Sequence, residues 1–146
     1  MNANNSELCA KTNIMFSFVG ETVAPHEITR LLGLTPTTAY AKDDVYEVPR
    51  VGKRRRASGH WSLCTEGIVN STDVSLHAAH LLDELLPCRA AILRLLSTGR
   101  YQVTISIWWE LRQLHGRLAI QSSVLRALAE LSHEISFHFL ASSPDD

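Results

Sequence analysis

The stretch from Tyr101 to Glu110 alternates strictly along its length, and this pattern limits what the chain can fold into. One set of alternate positions holds Tyr101, Val103, Ile105, Ile107 and Trp109. The other set holds Gln102, Thr104, Ser106, Trp108 and Glu110. A period of two, rich in β-branched and aromatic residues, predicts a central strand with one face on a core and the other face polar.

Similar periodicity predicts the other elements of the chain. We expect strands at 13–19, 60–66, 117–121 and 134–140, and helices at 25–32, 74–86, 88–96 and 122–131. The core stripe of the second helix is expected to hold Leu76, Ala79, Leu82 and Leu86, widened by Ala78, Leu81 and Leu85. The core face of the last strand is expected to hold Ile135, Phe137 and Phe139. The order βαβααββαβ predicts an α+β fold with a mainly antiparallel sheet and helices packed on one face. We expect a variant of the ferredoxin-like arrangement.

The length of 146 residues fits one domain with one core, because a chain of this size buries about two-thirds of its unfolded surface. We predict a single domain at 13–140, between a flexible N-terminal lead at 1–12 and a flexible tail at 141–146. Within it, residues 38–59 show no periodicity and carry several basic residues. We interpret them as a long basic loop, and such loops are usually functional or mobile.

The chain has no apolar run of about 20 residues, so no membrane span is expected. Its polar N-terminus lacks the basic-then-apolar order of a signal peptide. The cysteines are Cys9, Cys64 and Cys88, an odd number without a CxxC pair. Reduced thiols in a cytoplasmic protein, with neither disulfides nor bound zinc, are the expected state.

Three sequence segments carry a resemblance to a known family. They are FSFVG at 16–20, PHEITRLLGLTPT from Pro25 to Thr37, and HWSL at 60–63. Together they resemble domain-of-unknown-function family 4279 of bacterial proteins, over residues 14–140. The resemblance implies a small bacterial cytoplasmic domain, of a kind suspected of acting as an immunity-like or partner-binding module, and it supplies no catalytic residues. From the residues themselves we interpret the Pro25–Thr37 run as architecture, because Gly33 and Pro36 have backbone roles at a helix end and a turn.

The clearest anomaly of charge is the basic run formed by Lys53, Arg54, Arg55 and Arg56. Arginine side chains bind phosphates or carboxylates through paired hydrogen bonds, so the run suits a nucleic acid or an acidic partner. The formal net charge of −1 and the absence of a nucleic-acid motif favour a solvated loop instead.

The second anomaly is a tryptophan on the polar side of the predicted sheet. The residues expected on that side are Ser17, Thr104, Ser106, Trp108, Ser136 and His138. A tryptophan among small polar neighbours can stack on a ligand ring or a partner side chain. The alternative is that loop 38–59 or a second copy of the chain covers it.

His77, His80 and Glu84 share one helical face at spacings that allow a common metal ion. A solvated face opposite the leucine stripe explains the same pattern, so we predict no metal and no cofactor. Motifs of the common hydrolases, kinases and dinucleotide enzymes are absent, and Cys64 on a strand is interpreted as a small apolar residue.

The sequence therefore favours a non-enzymatic module that binds a protein partner or a second copy of itself. Its binding surface is expected around Trp108, with Thr104, Ser106, His138 and Ser17, or on the basic loop. One alternative is nucleic-acid or phosphate binding through Arg54–Arg56. Another is an enzyme with a site between loop 38–59 and the sheet.

Overall fold

The structure is a computed structural model that describes residues 9–112 and 116–141. Its strands are β1 Cys9–Gly20, β2 Thr38–Tyr40, β3 Val45–Val48, β4 Gly52–Arg55, β5 Gly59–Cys64, β6 Gln102–Leu111 and β7 Glu134–Ala141. Its helices are α1 Pro25–Leu32, α2 Val74–Leu85, α3 Arg89–Ser97 and α4 Ser122–Glu130, with a 3-10 turn at Leu86–Cys88. The fold is α+β, as predicted.

Five of the strands form one sheet in the order β2-β5-β1-β6-β7. The predicted central position of β6 is confirmed, because β1 and β7 flank it. The prediction of a mainly antiparallel sheet is wrong: the sheet is mixed, because β7 runs parallel to β6.

The expected return strand at 117–121 does not form in the described residues, and residues 113–115 of its hairpin connection lie outside them. Helix α4 is therefore the connection between β6 and β7. A connection through a helix brings the next strand back parallel, whereas a short hairpin would have made it antiparallel.

The core lies between the sheet and the helices. On β1, Ile14, Phe16 and Phe18 point to this side and are fully buried. They pack with side chains from neighbouring strands and with apolar residues of all the helices named above, in one continuous cluster. Phe18 meets the rings of Trp61 and Tyr101 edge-on, at centroid distances of 5.7 and 6.0 Å. The helices thus cover one face of the sheet, as predicted.

The buried stripe of α2 agrees with the prediction only in part. The helix buries Val74, His77, Ala78, Leu81, Leu82 and Leu85. The predicted burial of Leu82 and of the widening residues Ala78, Leu81 and Leu85 is confirmed, whereas Leu76, Ala79 and Leu86 are exposed. Leucine or alanine occupies almost every side of this helix, so its periodicity does not distinguish the stripe that packs from the one that faces solvent.

The run from Pro25 to Thr37 has structural roles throughout. Gly33 ends α1 in the left-handed conformation, with φ 67°, where a side chain would be strained. Thr29 accepts a hydrogen bond from the indole N–H of buried Trp61 at 3.0 Å. The hydroxyl of Thr37 accepts one from the backbone N–H of Cys64 at 3.0 Å. These contacts support the interpretation of the run as architecture.

Residues 38–59 are not an irregular loop, which corrects the prediction. They contain the edge strand β2 and the β3–β4 hairpin. In the hairpin Glu47 pairs with Lys53, and Val45 pairs with Arg55. Since most of its side chains are exposed, the hairpin lacks the alternation of apolar and polar residues by which a strand is recognised.

Strand β1 begins at Cys9, so residues 9–12 of the predicted flexible lead are part of the sheet. Residues 1–8 of that lead and residues 142–146 of the predicted tail lie outside the described residues. Within the described part of the chain, no helix combines the length and apolarity needed to span a bilayer.

Candidate functional site

The face of the sheet opposite the helices, called the polar face below, contains the predicted site residues of the strands. The register sets Ser17 against Thr104, Ser106 beside Ser136, and Trp108 beside His138. The prediction that these residues share one face is thus confirmed. Their role in binding stays a prediction.

Trp108 stacks on His138, with ring centroids 4.0 Å apart and planes 11° from parallel. The stack follows from the parallel register of β6 and β7, which sets equivalent side chains of neighbouring strands side by side. The backbone carbonyl of Trp108 accepts a hydrogen bond from the Thr12 hydroxyl at 2.7 Å. The indole is therefore held in place and remains partly exposed.

The serines of the polar face offer little surface to a partner, because their hydroxyls lie within hydrogen-bond distance of other groups of the sheet. Ser17 and Ser106 are only 3% and 7% exposed. The Ser17 hydroxyl donates to the carbonyl of Thr104 at 3.4 Å, and the hydroxyls of Ser106 and Ser136 lie 3.5 Å apart. A partner on this face would therefore contact Trp108 and His138 rather than the serines.

A pocket of about 340 Å³ opens beside Trp108, and we call it the Trp108 pocket. It is lined by Lys11, Asn13, Met15, Cys64, Glu66, Trp108, Trp109, Glu110 and Leu140. These residues come from β1, β6 and β7, from the end of β5 and, for Glu66, from the segment that follows β5, so the pocket exists only when the sheet is assembled.

The pocket combines apolar residues with charged ones. Met15 and Leu140 contribute apolar surface beside the indole. Lys11 and Glu66 form an ion pair of 2.5 Å, with each side chain more than half exposed. The hydrogen bond and the charge of Glu66 raise the pKa of Lys11 above its usual value, so this lysine is charged at neutral pH. The pocket therefore suits an apolar or aromatic group that carries polar atoms at its edge.

Sequence reasoning missed several residues of this pocket, although one signal was present. Lys11, Asn13 and Met15 continue the alternation of Ser17 along β1. Asn13 and Met15 lie within the predicted strand and could have been assigned to this face, whereas Lys11 precedes the predicted start at residue 13. Cys64, interpreted as a small apolar residue, lies in the pocket with its sulfur 3.8 Å from the Asn13 side-chain oxygen. No sequence signal links Cys64 or Glu66 to β1, because strand neighbours depend on the tertiary fold.

The arginines lie elsewhere in the molecule. The guanidinium of Arg56 is sandwiched between the rings of Tyr40 and Tyr46, at 4.0 and 3.8 Å from their centroids. Tyr40 in turn stacks on His60 at 5.2 Å. Burial, and secondarily the charge of Arg56, lower the pKa of His60 below its usual value. This cluster attaches the β3–β4 hairpin to the sheet, in the region where the alternative of an enzyme placed its site.

Arg56 and Trp108 occupy opposite ends of the sheet. His60 pairs with Val19, and Val19 pairs with Gln102, six residues before Trp108 on β6. At about 3.3 Å per residue this separation is roughly 20 Å. Arg54 and Arg55 are exposed on β4 and do not line the Trp108 pocket. The structure thus separates the two candidate surfaces, and residues 38–59 do not line the pocket.

The histidines of α2 do not form a metal site. His77 is buried, and its Nδ1 is hydrogen-bonded to the Thr65 hydroxyl at 2.6 Å. Its Nε2–H donates to the carbonyl of Ser71 at 2.8 Å, so both ring nitrogens have partners within the protein. The predicted solvated face is therefore wrong for His77. In the described ranges no group of three or more His, Cys, Asp or Glu residues is arranged to hold a metal ion.

Comparison with known families supplies one match. A family model described as Domain of unknown function (DUF4279) matches residues 10–142, which confirms the resemblance seen in the sequence. The search of curated proteins finds no match. The search of solved structures finds none either.

Proposed function

The chain belongs to the DUF4279 family, and we propose that it is a protein-interaction module rather than an enzyme, with the polar face around Trp108 as its binding surface. The observation that carries this proposal is the partly exposed Trp108 indole, fixed by its stack on His138 beside a pocket. We further propose an immunity-like role in the bacterial cytoplasm, on a ferredoxin-like variant of the α+β fold. The unpaired state of Cys9, Cys64 and Cys88 supports the cytoplasmic location.

The size and composition of the pocket support a side chain as its occupant. A volume of about 340 Å³ is near the lower end of the range for small-molecule sites. It suits one large side chain better than a cofactor. Protein interfaces concentrate their binding energy on such a centre, where an aromatic anchor is surrounded by polar groups that exclude water.

The charges around the pocket favour a protein over a nucleic acid. The lining of the pocket includes one cation, Lys11, and this lysine is paired with Glu66. Recognition of a phosphate backbone depends on clustered cations, which this lining does not provide. A protein segment with an apolar or aromatic residue between polar ones fits this arrangement.

A display experiment tests the proposal with random peptides in place of an identified partner. Peptides displayed on phage are selected on the wild-type protein and counter-selected on the Trp108→Ala variant. We expect the selected peptides to share a large apolar residue, and their affinity to fall about tenfold or more in Trp108→Ala. Isothermal titration calorimetry with the synthetic peptides measures the loss.

Two control variants make this result specific. Trp108→Phe retains an aromatic ring and is expected to recover part of the affinity. The double variant Arg54→Gln/Arg55→Gln changes the other candidate surface and is expected to bind the peptides as the wild type does. Selected peptides that bind Trp108→Ala as tightly as wild type would refute the proposal.

Phosphate or nucleic-acid binding by the hairpin is the second candidate. The observation in its favour is that two tyrosine rings hold the Arg56 guanidinium flat, while Arg54 and Arg55 are exposed beside it. Such binding must weaken steeply as salt rises. Fluorescence anisotropy with single-stranded and duplex oligonucleotides tests it, and no binding at low salt would eliminate it.

A further inference from the structure

The edge strand β7 carries several exposed apolar side chains. Phe137 and Phe139 point to the helix side and Leu140 to the polar face, and they are 43%, 55% and 47% exposed. The prediction that Phe137 and Phe139 lie on the core face is thus right about the side of the sheet to which they point, but both side chains are exposed and are not buried in the core. Exposed phenylalanines and a leucine on one strand form an apolar surface without a partner, because β7 pairs with β6 alone within the described residues.

The two edges of the sheet differ in how they are protected. At the other edge β2 is three residues long, follows Pro36 and precedes Lys42. Short strands, prolines and lysines are the usual means by which proteins prevent pairing at an edge. Strand β7 has eight residues without proline, lysine or arginine, and its one carboxylate, Glu134, is at its start. This edge is built to accept another strand.

We propose that β7 pairs antiparallel with β7 of a second copy of this chain, so that two five-stranded sheets join into one. The interface is isologous, with the same strand on both sides of a two-fold axis. It supplies hydrogen-bond partners for the outward backbone groups of β7 and covers Phe137, Phe139 and Leu140.

The sequence of β7 favours a second copy because the strand is complementary to itself. A register centred on His138 sets Phe137 opposite Phe139 of the second copy, on the helix side of both sheets. The two Glu134 carboxylates then lie at opposite ends of the shared ladder, so no like charges face each other at close range. A strand with charges near its centre would lack this property.

This inference goes beyond the proposed function because pairing uses the outer backbone edge of β7, whereas the proposed binding surface is centred on Trp108 of β6. The Trp108 pocket is lined mainly from β1 and β6, and β7 contributes Leu140 to it. Pairing at the outer edge of β7 covers Leu140 and leaves the lining from β1 and β6 accessible to a peptide. The β7 dimer can therefore be disproved without disproving peptide binding at the Trp108 pocket, and the reverse also holds.

Sedimentation velocity of the full chain over a concentration series tests the dimer. We expect the wild type to dimerise and the Phe137→Lys/Phe139→Lys variant, which changes no residue of the Trp108 pocket, to raise the dimer dissociation constant by about tenfold or more. Leu76→Lys is the matched control, since Leu76 is 54% exposed on α2, away from the edge. This control is expected to dimerise as the wild type does.

A cross-link tests the register independently, even where the double lysine variant folds poorly. In the proposed pairing His138 faces itself across the two-fold axis, at a separation compatible with a disulfide. His138→Cys is therefore expected to form an intermolecular disulfide under mild oxidation, and Leu76→Cys is not. A wild-type chain that is monomeric at every concentration, or a dimer lost in Trp108→Ala but retained in the lysine variant, would overturn the inference.

Discussion

Trp108 and Trp109 are adjacent in the chain and have opposite surroundings. Trp109 points to the helix side, is 3% exposed, and meets the Phe139 ring edge-on at 6.3 Å. The backbone at Gly116 passes so close that an added Cβ would lie 2.7 Å from the Trp109 ring. Trp108 points to the polar face, where it stacks on His138 and lines a pocket.

The difference between the two tryptophans shows that the two faces of one strand can have different roles, with one face contributing to stability and the other available for binding. Alternation along β6 assigns each side chain to one of the two faces of the sheet. The helices cover the face that carries Trp109, and they do not cover the polar face that carries Trp108. Side chains on the covered face contribute to stability through burial. A large aromatic residue on the other face contributes less to stability, which makes it a candidate for binding.

The largest effect is expected from the tryptophans themselves. Trp109→Ala should lower the free energy of unfolding by about 3–5 kcal/mol, because it leaves a cavity in packed surroundings. Trp108→Ala should lower it by less than about 2 kcal/mol, since mainly a ring stack is lost. Urea unfolding followed by circular dichroism measures both. Equal losses would show that Trp108 is a core residue.

A smaller effect is expected from the buried hydrogen bonds of Thr65. Its hydroxyl accepts from the Ile14 N–H at 2.9 Å and is hydrogen-bonded to Nδ1 of His77 at 2.6 Å. Thr65→Val leaves both partners unsatisfied and should cost about 1–3 kcal/mol of stability. Thr104→Val on the polar face is the matched control, with an expected change within about 0.5 kcal/mol. An equal loss of unfolding free energy in Thr104→Val and Thr65→Val would contradict the special role of the buried hydrogen bonds.

The third largest effect on stability is expected from the contacts that attach the β3–β4 hairpin to the sheet. Arg56→Ala removes two cation–π contacts and should lower the free energy of unfolding by about 1 kcal/mol. Arg54→Ala, in the neighbouring strand β4 and exposed, should change it little. Hydrogen exchange at Tyr46 and its neighbours should accelerate only in Arg56→Ala. Unchanged exchange would mean that the stack does not hold the hairpin.

The smallest effect is expected from the titration of His60. Its pKa is lowered in the folded protein, so the unfolded chain binds a proton more readily. The contribution of His60 to the free energy of unfolding is therefore fully present above the ordinary pKa of 6.5, and it decreases as the pH falls below that value. Urea titrations at several pH values should show this slope in the wild type and a weaker one in His60→Gln. A slope that persists in His60→Gln would assign the proton to another group.

Much of the fold was predictable where local periodicity is strong. The alternation of β6 and the proline-to-glycine span of α1 correctly predicted those elements and the shared face of Trp108 and His138. The β3–β4 hairpin was not predictable in this way, because its exposed strands lack an apolar side. Helix α2 was placed correctly, but its buried stripe depends on the packing of leucines that the sequence leaves equivalent.

The candidate site was predictable only in part. The anomaly at Trp108 was visible in the sequence, since folding alone does not account for a tryptophan on a polar face. The separation of Trp108 from Arg56 was not visible, and neither was the mixed sheet, because both depend on the order of the strands. The buried state of His77 was equally hidden, since Thr65 and Ser71 reach it from outside its helix.

By itself the sequence determined which side chains alternate along the strands that have one apolar side, such as β1 and β6, and that this side would be covered, because backbone geometry imposes a period of two on an extended segment. The tertiary structure alone decided which strands are neighbours. That choice brings Lys11, Cys64 and Glu66 to Trp108 and leaves β7 at an edge. Strand order depends on packing between residues far apart in the chain, and local periodicity does not encode it.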